Sequence, residues 1–160
     1  MSKSEILEII HEEIVRRFQH ESERTKHLDD KASNIMGFVG IITGLVSSLG
    51  ALTLQALTNL IAVVLLFLAI AALIFSFFFS LQGYRIKEFT VVPNPYFLIG
   101  AYEGEDKDQI IRDLNDNYAV AIEDNMLLNN QKATWIKRAV YTLLVSVFLI
   151  ALFAFFALIN

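Results

Sequence analysis

Histidine is the residue type in this sequence best suited to chemistry, and all three histidines lie on one segment: His11, His20 and His27. Glu8 and His11 form one Glu-x-x-His, the half-motif with which helical bundles bind two iron ions, but no second copy follows. Glu23 and His27 are four residues apart and could chelate a metal ion loosely. A solvated or inter-helix polar face explains these residues better, so we predict no metal site and no cofactor.

Other catalytic groups are sparse. The sequence contains no cysteine, which excludes disulfides, thiol catalysis and cysteine metal sites. It also lacks a phosphate-binding glycine loop and a nucleophile elbow. Without a convergent set of catalytic groups, we predict that the protein is not an enzyme.

A second candidate site is a polar cluster shared by two predicted helices. Its members are the polar residues Arg24, Asp29, Lys31, Asn125, Asn129 and Lys132. The last three recur at spacings of four and three, which places them on one helical face. If the two helices pack antiparallel near the membrane, the two sets lie close together. The cluster then either fixes the register of the helices or acts as the latch of a gate.

A third candidate is a ladder of small residues inside an apolar stretch. Its members are Ser33, Gly37, Gly40, Gly44, Ser48 and Ala51. Spacings of three and four place small residues on one helical face. Gly40 and Gly44 form a GxxxG pair, which lets two helix backbones approach closely in lipid. We predict that this face packs either on other helices of the same chain or on a second copy.

Composition indicates which elements must position these residues. The chain has 160 residues, of which 55% are hydrophobic, and a mean hydropathy of +0.51, too apolar for a soluble domain of this size. The net charge of −4 does not suggest binding of a nucleic acid duplex. We predict an all-α integral membrane protein. It has three transmembrane helices and two long cytosolic helices continuous with the first and third spans.

The predicted segments follow from the apolar runs. Residues 1–33 form a cytosolic amphipathic helix, and residues 34–83 a transmembrane hairpin with spans at about 35–54 and 57–81, joined by a short polar turn. Residues 84–138 are a cytosolic loop and helix. Prolines exclude a long helix over 88–104, and the second long helix begins near Gly104. Residues 139–160 form the third transmembrane helix.

Basic residues predict the orientation. Residues 1–33 hold six lysines and arginines and residues 84–138 hold seven, which together are all thirteen. The positive-inside rule therefore predicts a multi-pass membrane protein with a cytosolic N-terminus and an external C-terminus. The spans carry no charge, which argues against a pump or coupled transporter. A pore lined by hydroxyl groups is one interpretation of the serines and threonines in the spans, and hydrogen bonds to helix backbones are the other.

The run Leu28-Asp29-Asp30-Lys31-Ala32 resembles the D-x-K-A entry of the PycTM-type membrane domain of Pycsar anti-phage effectors. The order that follows is also similar: a tight two-helix hairpin, a proline-containing segment, a helix with Asn129 and Lys132, and a final span. SLATT-type two-span effector domains are similar more loosely. On this resemblance Asp29, Lys31 and Ala32 correspond to the entry motif, and Asn129 and Lys132 to a second motif without an assigned catalytic role.

The resemblance implies a prokaryotic inner-membrane effector that impairs the membrane when a partner cyclase makes a nucleotide second messenger. The chain departs from that pattern because nothing in it resembles a cyclic-nucleotide-binding domain. Either the cytosolic helices sense a cyclic nucleotide signal or a soluble sensor protein brings it. We predict a homo-oligomeric, membrane-perturbing or pore-forming effector of antiviral defence, in contact with membrane lipid. A non-enzymatic scaffold that anchors a soluble partner and a small constitutive channel are the alternatives.

Overall fold

The computed structural model describes residues 3–53, 60–85, 89–90, 102 and 104–158. These ranges contain three helices: α1 spans Lys3–Thr53, α2 spans Leu60–Tyr84 and α3 spans Lys107–Leu158. The predicted all-helical fold is confirmed. The predicted polar turn between the first two spans and most of the proline-containing segment lie outside the described residues.

A glycine turn precedes α3. Gly104 has a φ of 92°, a conformation that side chains other than glycine rarely adopt. The backbone N–H of Glu105 donates to the carbonyl of Tyr102 (3.2 Å), and the helix begins at Lys107 with Asp108 in its first turn. An acidic residue at this position suits the positive end of the helix dipole.

The chain divides into two compact units. The polar unit comprises Met1–His27 and Ile86–Asn130, and the apolar unit comprises Leu28–Arg85 and Gln131–Asn160. The helices α1 and α3 contribute to both units, whereas α2 belongs to the apolar unit alone.

Inward-facing residues recur at alternating spacings of four and three along each helix. In the polar part of α3 they are Ile111, Asn115, Tyr118, Ile122, Asn125 and Asn129. In α2 they are Ala62, Leu66, Ala69, Leu73, Ser76, Ser80 and Gly83. This is a period of 3.5 residues, the heptad spacing with which helices pack as coiled coils.

In the polar unit, α1 and α3 run parallel. The contacting pairs advance together along both helices, from His11 with Asn115 to Thr25 with Asn129. The antiparallel packing that is the condition for the predicted polar cluster is therefore not found. The reason is that α1 and α3 are not hairpin partners, since α2 lies between them in the chain and two reversals restore the original direction.

In the apolar unit, α2 runs antiparallel to α3. The hydroxyl of Ser76 donates to the carbonyl of Ala139 (2.9 Å), and that of Ser146 donates to the carbonyl of Ala69 (3.2 Å). The core of this unit is formed by Leu28, Ala32, Ile35, Val39, Leu73, Ile136 and Ala139. Small residues at the crossing points let the backbones come close enough for these side chain–backbone hydrogen bonds.

Two helices are long and apolar enough to cross a membrane, namely Leu60–Tyr84 and Lys107–Ala157. The predicted first span, at about 35–54, lies in α1, which is not one of these two within the described ranges. Three transmembrane helices therefore remain a prediction.

Candidate functional site

The most buried polar group of the polar unit is the side chain of Asn129, which is fully inaccessible to solvent. Its Nδ2 donates to the carbonyl oxygen (3.0 Å) and to Oε2 (2.8 Å) of Glu21, and its Oδ1 accepts from the hydroxyl of Thr25 (2.9 Å). The Arg24 guanidinium donates to Oδ1 of Asn130 (2.8 Å) beside this network. These bonds tie α1 to α3 in a fixed register, because a shift by one residue would leave Asn129 buried without partners.

A second buried amide, that of Asn125, pairs with backbone rather than with a side chain. The backbone N–H of Thr90 donates to Oδ1 of Asn125 (3.0 Å), and Nδ2 of Asn125 donates to the carbonyl of Thr90 (3.0 Å). The neighbouring Phe89 packs its ring on Phe18 of α1, with centroids 5.8 Å apart. Asn125 thus fixes residues 89–90 against the helix pair with two hydrogen bonds.

In the apolar unit, one ion pair joins α1 to α3. The ammonium group of Lys132 donates to Oδ1 of Asp29 at 2.6 Å. The Lys132 side chain is only 6% exposed and the Asp29 side chain 32% exposed. Removing a charge from water is costly, so an ammonium group buried to this degree depends on its partner carboxylate.

The six residues of the predicted polar cluster are thus distributed over the two units. Arg24, Asn125 and Asn129 are bonded within the polar unit, and Asp29 and Lys132 are bonded within the apolar unit. Lys31 is exposed and belongs to neither set of contacts.

Sequence reasoning missed the two α1 partners of Asn129. Glu21 and Thr25 were not among the predicted residues, although both lie on the inward face of α1. The signal was available, because Phe18, Glu21, Thr25 and Leu28 follow one another at the same spacings of three and four as the buried positions of α3.

Among the described residues, nothing packs on the small-residue face of α1 at its three central glycines. A Cβ added at Gly37, Gly40 or Gly44 would meet no atom of this part of the chain within 4 Å. Ser33 and Ser48 are also exposed, and the side chain of Ala51 lies outside the described residues. The same helix buries its other face, since Ile35 and Val39 belong to the core. Helix α1 therefore has one face packed in the core and one face on which no described residue packs at its glycines.

Seven serine and threonine hydroxyl groups of the predicted spans, which could line a pore, donate to backbone carbonyls. Four bond within their own helix: Thr43, Ser47, Ser48 and Thr142. Three are buried and bond to a neighbouring helix: Ser76, Ser80 and Ser146. Their donors are therefore engaged in holding helices together.

The residues of the Glu-x-x-His half-motif have other partners. Glu8 forms an ion pair with Lys107, and Nδ1 of His11 donates to Oδ1 of Asn115 at 2.8 Å. Among the residues that the structure describes, no three histidine, aspartate or glutamate side chains are grouped to hold a metal ion. The carboxylate of Glu8 raises the pKa of Lys107 through its hydrogen bond and charge.

A cavity of about 350 Å³ lies on the polar unit, lined by Glu13, Arg16, Arg17 and His20. The Glu13 carboxylate pairs with both arginines. The hydrogen bond from Arg17, together with the charge of Arg16, lowers the pKa of Glu13. The two guanidinium groups are each more than 70% exposed, so this is a solvated ionic cluster with little effect on stability.

Comparison with known families gives one match. The family model PycTM, described as the Pycsar effector protein domain, matches residues 13–159. The matched range includes all three helices apart from the first turns of α1. Neither the curated proteins nor the solved structures provide a significant match.

Proposed function

The chain belongs to the PycTM family of Pycsar effector protein domains, and from this membership we propose that it is a pore-forming or membrane-perturbing effector. The family acts in antiviral defence as a membrane effector domain and is not an enzyme family. Two helices long and apolar enough to cross a membrane agree with that role. The effector impairs the inner membrane when it is triggered.

The membrane part consists of three spans in this proposal, with the apolar part of α1 as the first. Gly37, Gly40 and Gly44 make α1 a weak span by itself, because glycine contributes little to insertion. Packing of its other face on α2 and α3, through Ile35 and Val39, compensates for that weakness. The distribution of lysine and arginine then places the N-terminus in the cytosol and the C-terminus outside.

The observation that carries the proposal of assembly is the open face of α1. This face has small residues, a GxxxG pair, and three glycines at which an added Cβ would meet no described atom within 4 Å, which together suit close contact with the same face of a second copy. A homo-oligomer formed through Ser33, Gly37, Gly40, Gly44, Ser48 and Ala51 brings several copies around one axis.

In this proposal the pore lies between copies of the chain rather than among the three helices of one copy. The hydroxyl groups of Ser76, Ser80 and Ser146 are buried and bonded to backbone, so they are not free to line a passage within a single copy. A passage lined by apolar and small residues conducts only when it becomes wetted. Gating then amounts to a change in how copies pack.

Control of the effector resides in the polar contacts between α1 and α3. The Asn129 network and the Asp29–Lys132 pair hold the helices in the resting register, and a cyclic nucleotide signal or a soluble sensor protein releases them. Both contacts join the same two helices, although they lie in different units. The sensing step involves the polar unit, which bears no resemblance to a nucleotide-binding domain.

Membrane potential in cells tests the proposal. Induced expression with a voltage-sensitive dye is expected to give depolarisation once the trigger is supplied, and the purified protein is expected to form a discrete oligomer in detergent. Gly40→Leu and Gly44→Leu should abolish both without unfolding the chain, because a Cβ added at either glycine meets no described atom within 4 Å. The matched control is Ile41→Leu, which changes an exposed residue of the same helix.

The outcomes separate the three functions considered. If both glycine variants keep oligomer size and depolarisation, the small-residue face is not the interface. If expression stays harmless with each trigger supplied, and a second protein co-purifies with the chain, the protein is instead a scaffold. Steady conductance without any trigger would identify a constitutive channel.

A further inference from the structure

Four exposed cations lie at one end of the apolar unit: one is on α1, one directly follows the last residue of α2, and two are on α3. Three contacts between the helices lie at this end of the unit. The Ser80 hydroxyl donates to the carbonyl of Ala32 (2.7 Å), Lys132 pairs with Asp29, and a Cβ added at Gly83 would lie 3.0 Å from Ile136. The cations next to these contacts form what we call the cationic rim: Lys31, Arg85, Lys137 and Arg138.

Among the described residues, the charge of the rim is largely uncompensated. The sequence of the apolar unit contains only two acidic residues, Asp29 and Asp30, and the first of these is paired with Lys132. Within the described part of the chain, no rim cation has a carboxylate within 4 Å. Four exposed cations beside one exposed aspartate leave a local charge of about +3.

Aromatic rings accompany two of the rim cations. The guanidinium of Arg138 lies over the ring of Trp135 at 4.8 Å, and the ammonium of Lys137 lies 5.9 Å from the ring centre of Tyr141. Trp135 also packs on Phe79 of α2 (5.9 Å). Immediately beyond them α3 exposes Leu144 and other apolar side chains. Aromatic rings and cations at the edge of an apolar surface are typical of the headgroup layer of a membrane.

We propose that the cationic rim binds the headgroups of anionic phospholipids in preference to zwitterionic ones. The inference rests on the membrane location in the proposed function. The headgroup of an anionic phospholipid carries the negative charge of its phosphodiester and no balancing positive group, so it complements a rim of net positive charge. Guanidinium groups also bind phosphate oxygens through paired hydrogen bonds. A choline headgroup brings its own positive charge and lacks this complementarity. Lys31, which takes no part in the contacts between helices, acts here as a lipid-binding residue.

Trp135 provides a direct measurement because it is the only tryptophan in the chain. The full-length protein is reconstituted into mixed vesicles of phosphatidylcholine and phosphatidylglycerol at one fixed ratio. Bromine, which quenches tryptophan on contact, is placed on the acyl chains of one lipid or of the other. We expect phosphatidylglycerol to be enriched around Trp135 by on the order of threefold over its bulk fraction.

The variant that tests the rim is the triple substitution Lys31→Gln, Arg85→Gln and Lys137→Gln. It keeps Arg138 over Trp135, so the surroundings of the fluorophore are unchanged. In this variant the ratio of phosphatidylglycerol around Trp135 to its bulk fraction should fall to about one, which means no preference. The matched control removes three exposed cations from the polar unit and should keep the enrichment: Lys3→Gln, Lys26→Gln and Arg112→Gln.

Each contrary result has a distinct meaning. Equal quenching by either brominated lipid in the wild-type protein overturns the headgroup preference and leaves the membrane location standing. Equal loss of enrichment in both triple variants overturns the assignment to the rim, because total charge then explains the preference. No quenching by either lipid overturns the membrane location and the rim together.

Discussion

In the polar unit, the buried positions of α3 include three asparagines, whereas in the apolar unit the buried positions of α2 and α3 are mainly alanine, serine, leucine and isoleucine, with Lys132 as the buried charged residue. The spacing of these positions is the same in both units. The charges also differ. The polar unit has eight basic and fifteen acidic residues, a net charge of −7, and the apolar unit has five basic and two acidic residues, a net charge of +3.

The contacts of the polar unit specify the register of the helices, whereas those of the apolar unit contribute stability. Hydrogen bonds between buried amides contribute little net stability but strongly penalise a wrong register. Close packing of small and aliphatic residues contributes stability and tolerates no added atoms. We therefore expect the polar unit to open at a lower free energy than the apolar unit, which suits it to receive a signal.

The ion pair of the apolar unit gives the largest predicted effect. Asp29→Ala leaves the Lys132 ammonium buried without its carboxylate and should lower the free energy of unfolding by about 2–3 kcal/mol, as thermal unfolding in detergent would show. Asp30→Ala, on the same turn and exposed, is the control and should change it by less than about 0.5 kcal/mol. Adding Lys132→Met to Asp29→Ala should recover most of the loss. If it does not, the pair matters for more than compensating a buried charge.

The asparagine network of the polar unit gives the next effect. Asn129→Ala removes three hydrogen bonds and should destabilise this unit by about 2 kcal/mol. Hydrogen exchange should show faster opening of amides in the polar unit, with amides near Ser76 and Ser80 unaffected. Asn130→Ala, which removes one exposed bond from Arg24, should have a smaller effect. Equal acceleration in both units would mean that they open together and that the contrast between them is not energetic.

Two helical glycines should respond in opposite ways to substitution by alanine. In Gly83→Ala the new Cβ lies 3.0 Å from Ile136 Cγ1, a buried side chain with little room to move, so we expect a loss of about 1 kcal/mol. In Gly40→Ala the new Cβ meets no described atom within 4 Å, and the substitution should slightly stabilise the isolated chain, since alanine favours helix. Thermal unfolding in a detergent that separates the copies measures both. A destabilised Gly40→Ala protein there would show that the open face of α1 is covered within one copy.

The exposed ion pairs of the polar unit should have the smallest effect. Because Arg17 and Arg16 lower the pKa of Glu13, this carboxylate stabilises the folded chain above its ordinary pKa of 4.5 and loses that contribution as the pH falls through the lowered value. Carboxyl NMR titration of Glu13 should show a midpoint that Arg17→Gln moves upward. An unchanged midpoint would mean that solvent already screens the pair in the folded chain.

Much of the helical fold was predictable from the sequence. Long apolar runs and the absence of glycine and proline before Gly37 indicate α1, and the prolines after α2 indicate a break before α3. The direction of packing was not obtained from the residues of one face, because side-chain spacing is the same for parallel and antiparallel partners. The direction follows instead from the two chain reversals between α1 and α3, which can be counted from the order of the helices in the sequence.

The candidate site was predictable in part. Asn129 and Lys132 were identified from their spacing, and both are buried and bonded. Lys31 was grouped with Asp29 in the predicted polar cluster, yet a step of two residues along a helix turns the side chain by about 200°, so the two side chains point in different directions. The partner of Asn125 could not be predicted at all, because the backbone of Thr90 carries no signature in the sequence.

That pairing has a consequence for how the two positions tolerate mutation. Asn125 recognises only the N–H and C=O of residue 90, groups that nearly every amino acid offers. In a library covering all substitutions, position 90 should accept most residues and reject proline, which lacks the N–H. Position 125 should accept almost nothing, because no other side chain of the same length both donates and accepts. The two halves of one contact would therefore evolve at very different rates, and covariation between them would be undetectable.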